Sequence, residues 1–469
     1  MFADVTPQIL VLIIMGFLVV HAALGLASRW VNPLFVIVAG FVAMTPIAVS
    51  EFGLSSMAKL GRVYFTLLLL MTAVTFKGGW RLKPTTIAYM CFVSLYVLGA
   101  VWSDQVISAF MYKGLYFLLA LAGATMAVGV SGPYDYRIGM RMMTVTAAGF
   151  AAVMLAELVR NPAAISSVGR FQPWDINPNR VGQIAAPLLI LSGYIALYDK
   201  AKAWKIVAWS TMAILSIIII WTGSRSALFM CFIGVSVTAA PLVKRPITLI
   251  VSGILITGIV FLVMNVVEAG EATERLFTFD LIRSREGKLD DAWQYIRDSP
   301  IFGQGWVYEM SGARDRGTTT NLHNMYMQIL SEIGFFGGLV FVVVMGIAFT
   351  RGLVLLRLLH ESRGYCTDIA HHSVGMTLAV LAQGVSESST MMGSTVNGLI
   401  LTFGFGMMEQ VIVYIRAEQA AQLEYDYDAA GWDDDDHGDG HWPEHHEGDG
   451  PPGWGQQEHV LESHDHNEY

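Results

Sequence analysis

The chain has 469 residues, of which 54% are hydrophobic and only 14% are charged, and its mean hydropathy is +0.51. A soluble domain carries about 45–50% apolar and about 25% charged residues, so this composition excludes an ordinary soluble protein and indicates a polytopic membrane protein. The net charge is −9, yet the first 416 residues hold 29 basic and 22 acidic side chains, whereas the remainder holds 16 acidic and no basic ones. The three cysteines are far apart in sequence and indicate neither a disulfide framework nor a metal site.

Apolar runs of about 20 residues are long enough to span a bilayer. On that basis we predict an all-α protein with 12–13 transmembrane helices; the third and ninth runs are short and leave the count open. The amino-terminal run lacks a preceding basic segment, so we expect it to remain as a membrane helix. The thirteen runs are residues 9–26, 33–49, 63–76, 85–102, 106–130, 138–158, 182–198, 203–221, 226–241, 246–266, 325–350, 369–385 and 395–415.

Basic residues in the short loops predict the orientation. Residues 77–83, 199–205, 244–245 and 351–363 hold most of them, and all four loops fall on one side if the helices alternate. The positive-inside rule makes that side cytoplasmic. The opposite side then receives residues 51–62, 160–181, 221–225 and 387–394 together with one long loop, residues 267–324.

The chain divides into a transmembrane domain, residues 1–416, and a tail, residues 417–469. The tail is dense in Asp, His and Gly and poor in aliphatic residues, so we expect it to be disordered and cytoplasmic. Seven of the twelve histidines lie in it, but without fixed ligand spacing they predict at most weak divalent-metal binding. We expect no specific metal, no cofactor and no nucleic-acid partner.

Three outward segments carry more polar residues than a simple turn needs. They are VGRFQPWDINPNR at residues 168–180, the tight turn TGSRSA at residues 222–227, and the long loop. Within the long loop, residues 289–300 have apolar positions at helical spacing and end at Pro300, which predicts a short amphipathic helix on the membrane surface.

Arg170, Arg225 and Arg285 lie at outer helix ends and are expected to converge. A guanidinium binds phosphate oxygens through two parallel hydrogen bonds and stays charged, which suits a diphosphate group. The alternative is that each arginine only extends towards the lipid headgroups. Arg225 is the strongest candidate, because free backbone N–H groups of a helix start are expected beside it.

His323 stands at the boundary between the long loop and the next helix, flanked by Asn321 and Asn324. An imidazole with an ordinary pKa near 6.5 suits a general base, although an interfacial histidine is often only structural. Glu332 lies nine residues further on, inside a membrane helix, where an ionisable residue is a functional candidate. The alternative is that it steadies the packing beside a polar cavity. The glycines of this region, at positions 303, 305, 334, 337 and 338, are expected to serve turns and close helix contacts.

Four motifs in order resemble the O-antigen ligase and O-antigen polymerase superfamily. HNMYMQILSEIGFFGG is similar to its HNxYLxxLxExGxxG pattern, TGSRSALF to its GSR element, NPNRVG to its NPN element, and DAWQYIRDSPIFGQGW to its tryptophan–proline–glycine segment. The resemblance covers about residues 169–409. The spacing between the predicted loop arginine and Trp293 is longer than in the family pattern, and the acidic tail is not a family feature.

The resemblance implies a metal-independent inverting glycosyltransferase that works on the periplasmic face of the bacterial inner membrane. The donor would be a glycan on a polyprenyl diphosphate, and the acceptor another glycan or the lipid A core, with further polysaccharide assembly proteins as partners. His323 would activate the acceptor hydroxyl, and Arg225 and Arg285 would hold the diphosphate, with Arg283 as a rival for Arg285. Additional substrate contacts are expected from Arg170, Asn179, Arg180, Asn324 and Glu332.

The motifs do not distinguish a ligase from a polymerase. A transporter or flippase is the main alternative, and it would show repeated halves and charges at the bilayer midplane. A metal-dependent transferase with paired carboxylates in its first outer loop ranks lower, because the first outer loops offer only Glu51 and Asp104. A non-catalytic scaffold would tolerate loss of His323 or Arg225.

Overall fold

The computed structural model describes residues 83–103, 106–161, 170–242, 286–305, 324–361, 366–385, 387 and 396–431. The described residues are mainly α-helical and contain no β-strand, which confirms the all-α prediction. In chain order the helices are α1 (Pro84–Leu98), α2 (Val106–Val128), α3 (Pro133–Arg160), α4 (Pro178–Tyr198), α5 (Lys202–Thr222), α6 (Arg225–Ala239), α7 (Glu286–Asp298), α8 (Met325–Glu361), α9 (Thr367–Gly384) and α10 (Val396–Gly431).

Six of the described helices, α3, α4, α5, α6, α8 and α10, are long and apolar enough to cross a membrane, which confirms a polytopic membrane protein. The predicted runs at residues 9–26, 33–49, 63–76 and 246–266 lie outside the described residues. The predicted runs 325–350 and 395–415 end too early, because α8 continues to Glu361 and α10 continues to Gly431. Beyond the apolar run of each, good helix formers such as Leu, Arg, Glu and Ala continue without a proline.

The bundle is built around α4 and α10, whose apolar windows are almost entirely buried by other helices. Helix α4 packs against α3, α5 and α6, and α6 packs against α9. Glycines permit the closest approaches: a Cβ on Gly375 of α9 would lie 2.8 Å from the Gly234 carbonyl oxygen of α6, and one on Gly123 of α2 would overlap the Leu399 carbonyl of α10. Small residues at such crossings let backbones approach within a membrane, where dispersion contacts replace the hydrophobic effect.

Polar contacts define one end of the bundle, which we call the Asp199 end. Arg141 of α3 donates two hydrogen bonds to Asp199, at 2.7 and 2.8 Å, just after α4 ends. The Tyr194 hydroxyl donates to Asp368 at the start of α9, and the Tyr198 hydroxyl donates to the Thr238 carbonyl near the end of α6. The opposite end, where α5 finishes and α6 begins, we call the Arg225 end.

Arg141 also sets the ionisation of its partner. Burial raises the pKa of the Asp199 carboxyl, but hydrogen bonds from Arg141 and from the Ala201 N–H lower it by more, so the pKa lies below its ordinary value. A carboxyl with a depressed pKa stabilises the fold above its unfolded pKa of about 4, and that stabilisation is lost as the pH falls through the folded pKa.

We therefore expect Arg141→Met to lower the thermal unfolding midpoint of the detergent-solubilised protein by several degrees at pH 7. The difference from the parent should shrink as the pH is lowered below about 4, because Asp199 then becomes protonated in both proteins. Arg357→Met is the matched control, since Arg357 pairs with Glu361 on an exposed surface where an ion pair contributes little. A difference that stays constant down to pH 3 would contradict this account of the Asp199 end.

Candidate functional site

The GSR motif is a two-residue turn between antiparallel membrane helices. Gly223 ends α5 in the left-handed conformation, with φ 60° and ψ 26°, which a residue with a side chain adopts only at a cost. Ser224 is the N-cap of α6, and Arg225 is the first residue of that helix. The turn therefore places Arg225 at the rim of the bundle, half-buried and at the positive end of the α6 dipole.

Arg170 ties the loop before α4 to this turn. Its Nε donates to the Thr222 carbonyl oxygen at 2.7 Å, and its Nη2 donates to Asn179 Oδ1 at 2.7 Å. The Phe171 N–H donates to the Trp221 carbonyl at 2.9 Å. Arg170 is only 8% exposed. Two predicted site residues, Arg170 and Asn179, are thus brought directly to the GSR turn.

The NPN motif starts α4 beside the start of α6. Asn177 is the N-cap and accepts a hydrogen bond from the Asn179 N–H at 2.9 Å, and Pro178 occupies the first helical position. One turn later, a Cβ on Gly182 would lie 2.8 Å from Ser224 Cβ and 3.0 Å from Ala227 Cβ. The first turns of the two helices are therefore in contact, and the exposed Arg180 belongs to the same helix start.

The beginning of α8 lies at the same end as Arg225. Helices α6 and α9 are antiparallel, and they touch where Gly375 meets Gly234. Arg225 is nine residues before Gly234, and Gly384 is nine residues after Gly375, so both lie about 13 Å from this crossing in the same direction. Asn324 Nδ2 donates to the carbonyl of Val385, next to Gly384, at 3.0 Å.

Asn324 is held by two hydrogen bonds of its own. Besides donating to Val385, its Oδ1 accepts from the Met327 N–H at 3.0 Å, which caps the first turn of α8. The Tyr326 hydroxyl adds a second bond to α9 by donating to the Leu381 carbonyl at 2.9 Å. The chain that enters α8, and with it the position directly after His323, is therefore attached to the end of α9.

Helix α8 is broken at Gly334, where φ is 64° and ψ is −169°. A regular helix would bond the Phe335 N–H to Ser331 and the Phe336 N–H to Glu332. Here residues 300–305 form these bonds instead. The N–H groups of Phe335 and Phe336 donate to the carbonyls of Pro300 and Ile301. The carbonyls of Ser331 and Glu332 accept from the N–H groups of Gln304 and Gly305, and all four distances are 2.8–3.1 Å. The loop thus satisfies these two N–H groups and these two carbonyls of α8.

Glu332 points into the protein at this break. One carboxylate oxygen lies 2.9 Å from Lys113 Nζ on α2, and the other accepts from Gln328 Nε2 at 2.6 Å. The two charged side chains are 0% and 5% exposed. The Lys113 ammonium also lies 4.1 Å from the centre of the Tyr96 ring. The alternative of a packing role for Glu332 therefore has a definite partner, and direct contact with substrate stays a prediction.

The remaining predicted residues divide into those the structure describes and those it does not. His323, Arg283 and Arg285 lie outside the described residues, so their roles stay predictions. Lys113 was missed, although a lone lysine in an apolar run signals a buried anion elsewhere in the chain. No group of three His, Cys, Asp or Glu side chains among the described residues could hold a metal ion.

The fold and these contacts define a polytopic α-helical membrane protein with a polar, arginine-bearing face at one end. The family model of the O-antigen ligases matches residues 210–342, from the second half of α5 through the break in α8. This match confirms, over residues 210–342, the resemblance to the O-antigen ligase and polymerase superfamily that the motifs carry. No curated protein matches the chain. The family implies an enzyme that transfers glycosyl groups and acts with lipid-linked glycans in a bilayer.

The break in α8 gives a matched pair of glycine substitutions. A Cβ on Gly334 would overlap the Ile301 carbonyl, and its backbone conformation is one that only glycine adopts readily. Gly346 lies in the same helix with nothing within 4 Å of such a Cβ. We expect Gly334→Ala to lower the amount of folded protein recovered from membranes several-fold and Gly346→Ala to leave it near the parent level.

Fluorescence-detected size-exclusion chromatography of detergent extracts measures both variants. Equal recovery of the two would show that the docked loop does not stabilise the fold.

Proposed function

We propose that the protein is a membrane glycosyltransferase that moves a glycan from a polyprenyl diphosphate to an acceptor hydroxyl on the periplasmic face. The observation that supports this most is the contact between the first turns of α4 and α6, which sets two helix starts and Arg225 at one point of the bundle rim. A diphosphate is the group on such a donor that needs positive charge.

The electrostatics of this point suit a phosphate. The first N–H groups of an α-helix have no partner within the helix, and they lie at the positive end of its dipole. Ser224 does not cap α6 with its side chain, since its hydroxyl lies 3.3 Å from that of Ser226. An anion at this rim would therefore meet backbone donors and the Arg225 guanidinium together.

The reaction needs charge stabilisation on one side of the anomeric carbon and a base on the other. The acceptor oxygen attacks that carbon while the bond to the diphosphate oxygen breaks, so the configuration inverts. His323 takes the hydroxyl proton, and Arg225, with Arg285 or Arg283 from the long loop, stabilises the electron pair that leaves with the diphosphate. This arrangement assigns no step to a metal ion.

The other predicted residues fit supporting parts of this proposal. Arg170 holds the GSR turn and Asn179 in place through the two bonds described above. Arg180 and Asn324 supply polar groups around the rim for the sugar, while Glu332 contributes from within the bundle. The basic short loops favour an inner-membrane protein with its Arg225 end in the periplasm and its tail in the cytoplasm.

The first experiment reconstitutes the purified protein in nanodiscs with labelled lipid-linked repeats, with and without lipid A core. A polymerase gives a ladder of longer lipid-linked chains without lipid A core, and a ligase gives a single product only when the core is present. Movement of the repeats across the membrane without a new glycosidic bond would instead identify a flippase and overturn the proposal.

The second experiment uses variants in the same assay. Arg225→Ala and His323→Ala should each lower the transfer rate about 100- to 1,000-fold, the usual effect of removing one electrostatic or acid–base group. Arg225→Lys should fall between Arg225→Ala and the parent, because it keeps the charge but loses the planar pair of donors.

The control for these variants is Arg357→Ala, which removes an exposed arginine from the far part of α8. It should transfer glycan at the parent rate. If Arg225→Ala and His323→Ala also retain that rate at normal abundance, the protein is a scaffold rather than the transferase.

A further inference from the structure

The first segment of α8, residues 325–333, is set off from the rest of that helix by the break at Gly334. Two of the backbone bonds that would join it to the following turn are replaced by bonds to the loop at residues 300–305. The segment is only nine residues long, which is too short to be a stable helix by itself. Its position must therefore come from contacts made by its side chains and its ends.

At its start the segment contacts α9 through the hydrogen bonds of Asn324 and Tyr326. Met325 adds van der Waals contact, since a Cβ on Gly384 of α9 would lie 3.3 Å from Met325 Cβ. These contacts reach only the start of the segment. Because the segment is too short to hold its own helix, its start stays in place only if the turn that carries Gln328 and Glu332 is held as well.

The turn that carries Gln328 and Glu332 is held by the ion pair between Lys113 and Glu332. Each residue lies seven positions into its helix, about two turns from the Arg225 end. The pair is enclosed: Gln328 bonds the second carboxylate oxygen, Tyr96 lies over the ammonium, and Gly99 packs beside the ammonium. Because neither charge reaches water, each stays favourable only while the other is in place.

We propose that Lys113 and Glu332 are positioning residues for glycosyl transfer: their buried ion pair seats the segment 325–333 and so fixes Asn324, the residue that follows His323 in the sequence, at the Arg225 end. This inference depends on the proposed function for its catalytic half. Glu332 then acts through the segment that it anchors rather than by touching the sugar.

A charge-removing variant tests the catalytic half. Lys113→Met should lower the transfer rate about 100-fold with little change in KM for the donor, because a displacement of about 1 Å at a catalytic group has an effect of this size while the donor still meets Arg225. Glu332→Gln should act in the same direction and serves as the second variant if Lys113→Met does not accumulate in membranes.

A matched control is available in the same helix beyond the break. Arg351 of α8 forms an ion pair with the buried Glu409 of α10 at 3.2 Å. Arg351→Met also leaves a buried carboxylate without its cation, but it lies on the far side of Gly334. It should lower abundance and leave the rate per folded molecule unchanged.

A disulfide provides a readout that is independent of activity. The Cβ separation at Met325 and Gly384 is close to that of a disulfide, so Met325→Cys with Gly384→Cys, in a protein whose Cys91, Cys231 and Cys366 are replaced by Ala, should cross-link readily. Adding Lys113→Met should slow the cross-linking several-fold, and adding Arg351→Met should not. Once formed, the cross-link should restore transfer in the Lys113→Met protein, and reduction should abolish the recovery.

The outcomes separate the two proposals. Equal cross-linking rates with and without Lys113→Met, or a cross-linked protein that stays inactive while its Lys113 parent is active, would overturn the positioning role. If the cysteine-substituted protein with Lys113 intact transfers no glycan, the proposed function fails, and the cross-linking rates then decide whether the pair seats the segment.

Discussion

The exchange of backbone hydrogen bonds at Gly334 is the constraint on which the rest of the site depends. Within a membrane, an unsatisfied N–H or carbonyl costs several kcal/mol. The break in α8 is therefore possible only because residues 300–305 supply two donors and two acceptors in the right register. That requirement fixes residues 300–305 of the long loop to α8 and sets the short segment ahead of Gly334 apart from the rest of the helix.

Two kinds of polar anchor organise the Arg225 end. Around the GSR turn, the anchors are neutral or singly charged contacts to backbone, such as the bond from Arg170 to the Thr222 carbonyl. Two turns after the start of α8, the anchor is the buried ion pair between Lys113 and Glu332. The first kind shapes a surface that meets the substrate, and the second sets the place of an element whose own helical stability is low. Removing one partner of such a buried pair typically costs about 3–5 kcal/mol.

Much of this could be predicted from the sequence, because bilayer thickness and apolar run length determine where membrane helices lie. The tight turn at Gly223, the place of Arg225 at a helix start and the structural use of Gly303, Gly305 and Gly334 followed from local chemistry. The partner of Arg170 did not, since a backbone carbonyl has no sequence signature. Lys113 and Glu332 are separated by 219 positions, and nothing in either local pattern indicates the other. The carboxyl-terminal parts of α8 and α10 extend beyond the apolar runs, and their length depends on helix propensity, which a search for apolar spans ignores.

The break in α8 also bears on the order in which the protein assembles. A segment entering the bilayer must arrive with its backbone groups already paired, so α8 is expected to insert as one continuous helix that carries a glycine at position 334. The kink then forms by exchange, when residues 300–305 dock and take over bonds that the helix first made with itself. Since that loop precedes α8 in the chain, it is already synthesised when the helix emerges. On this account, the site is completed only after α8 has entered the bilayer.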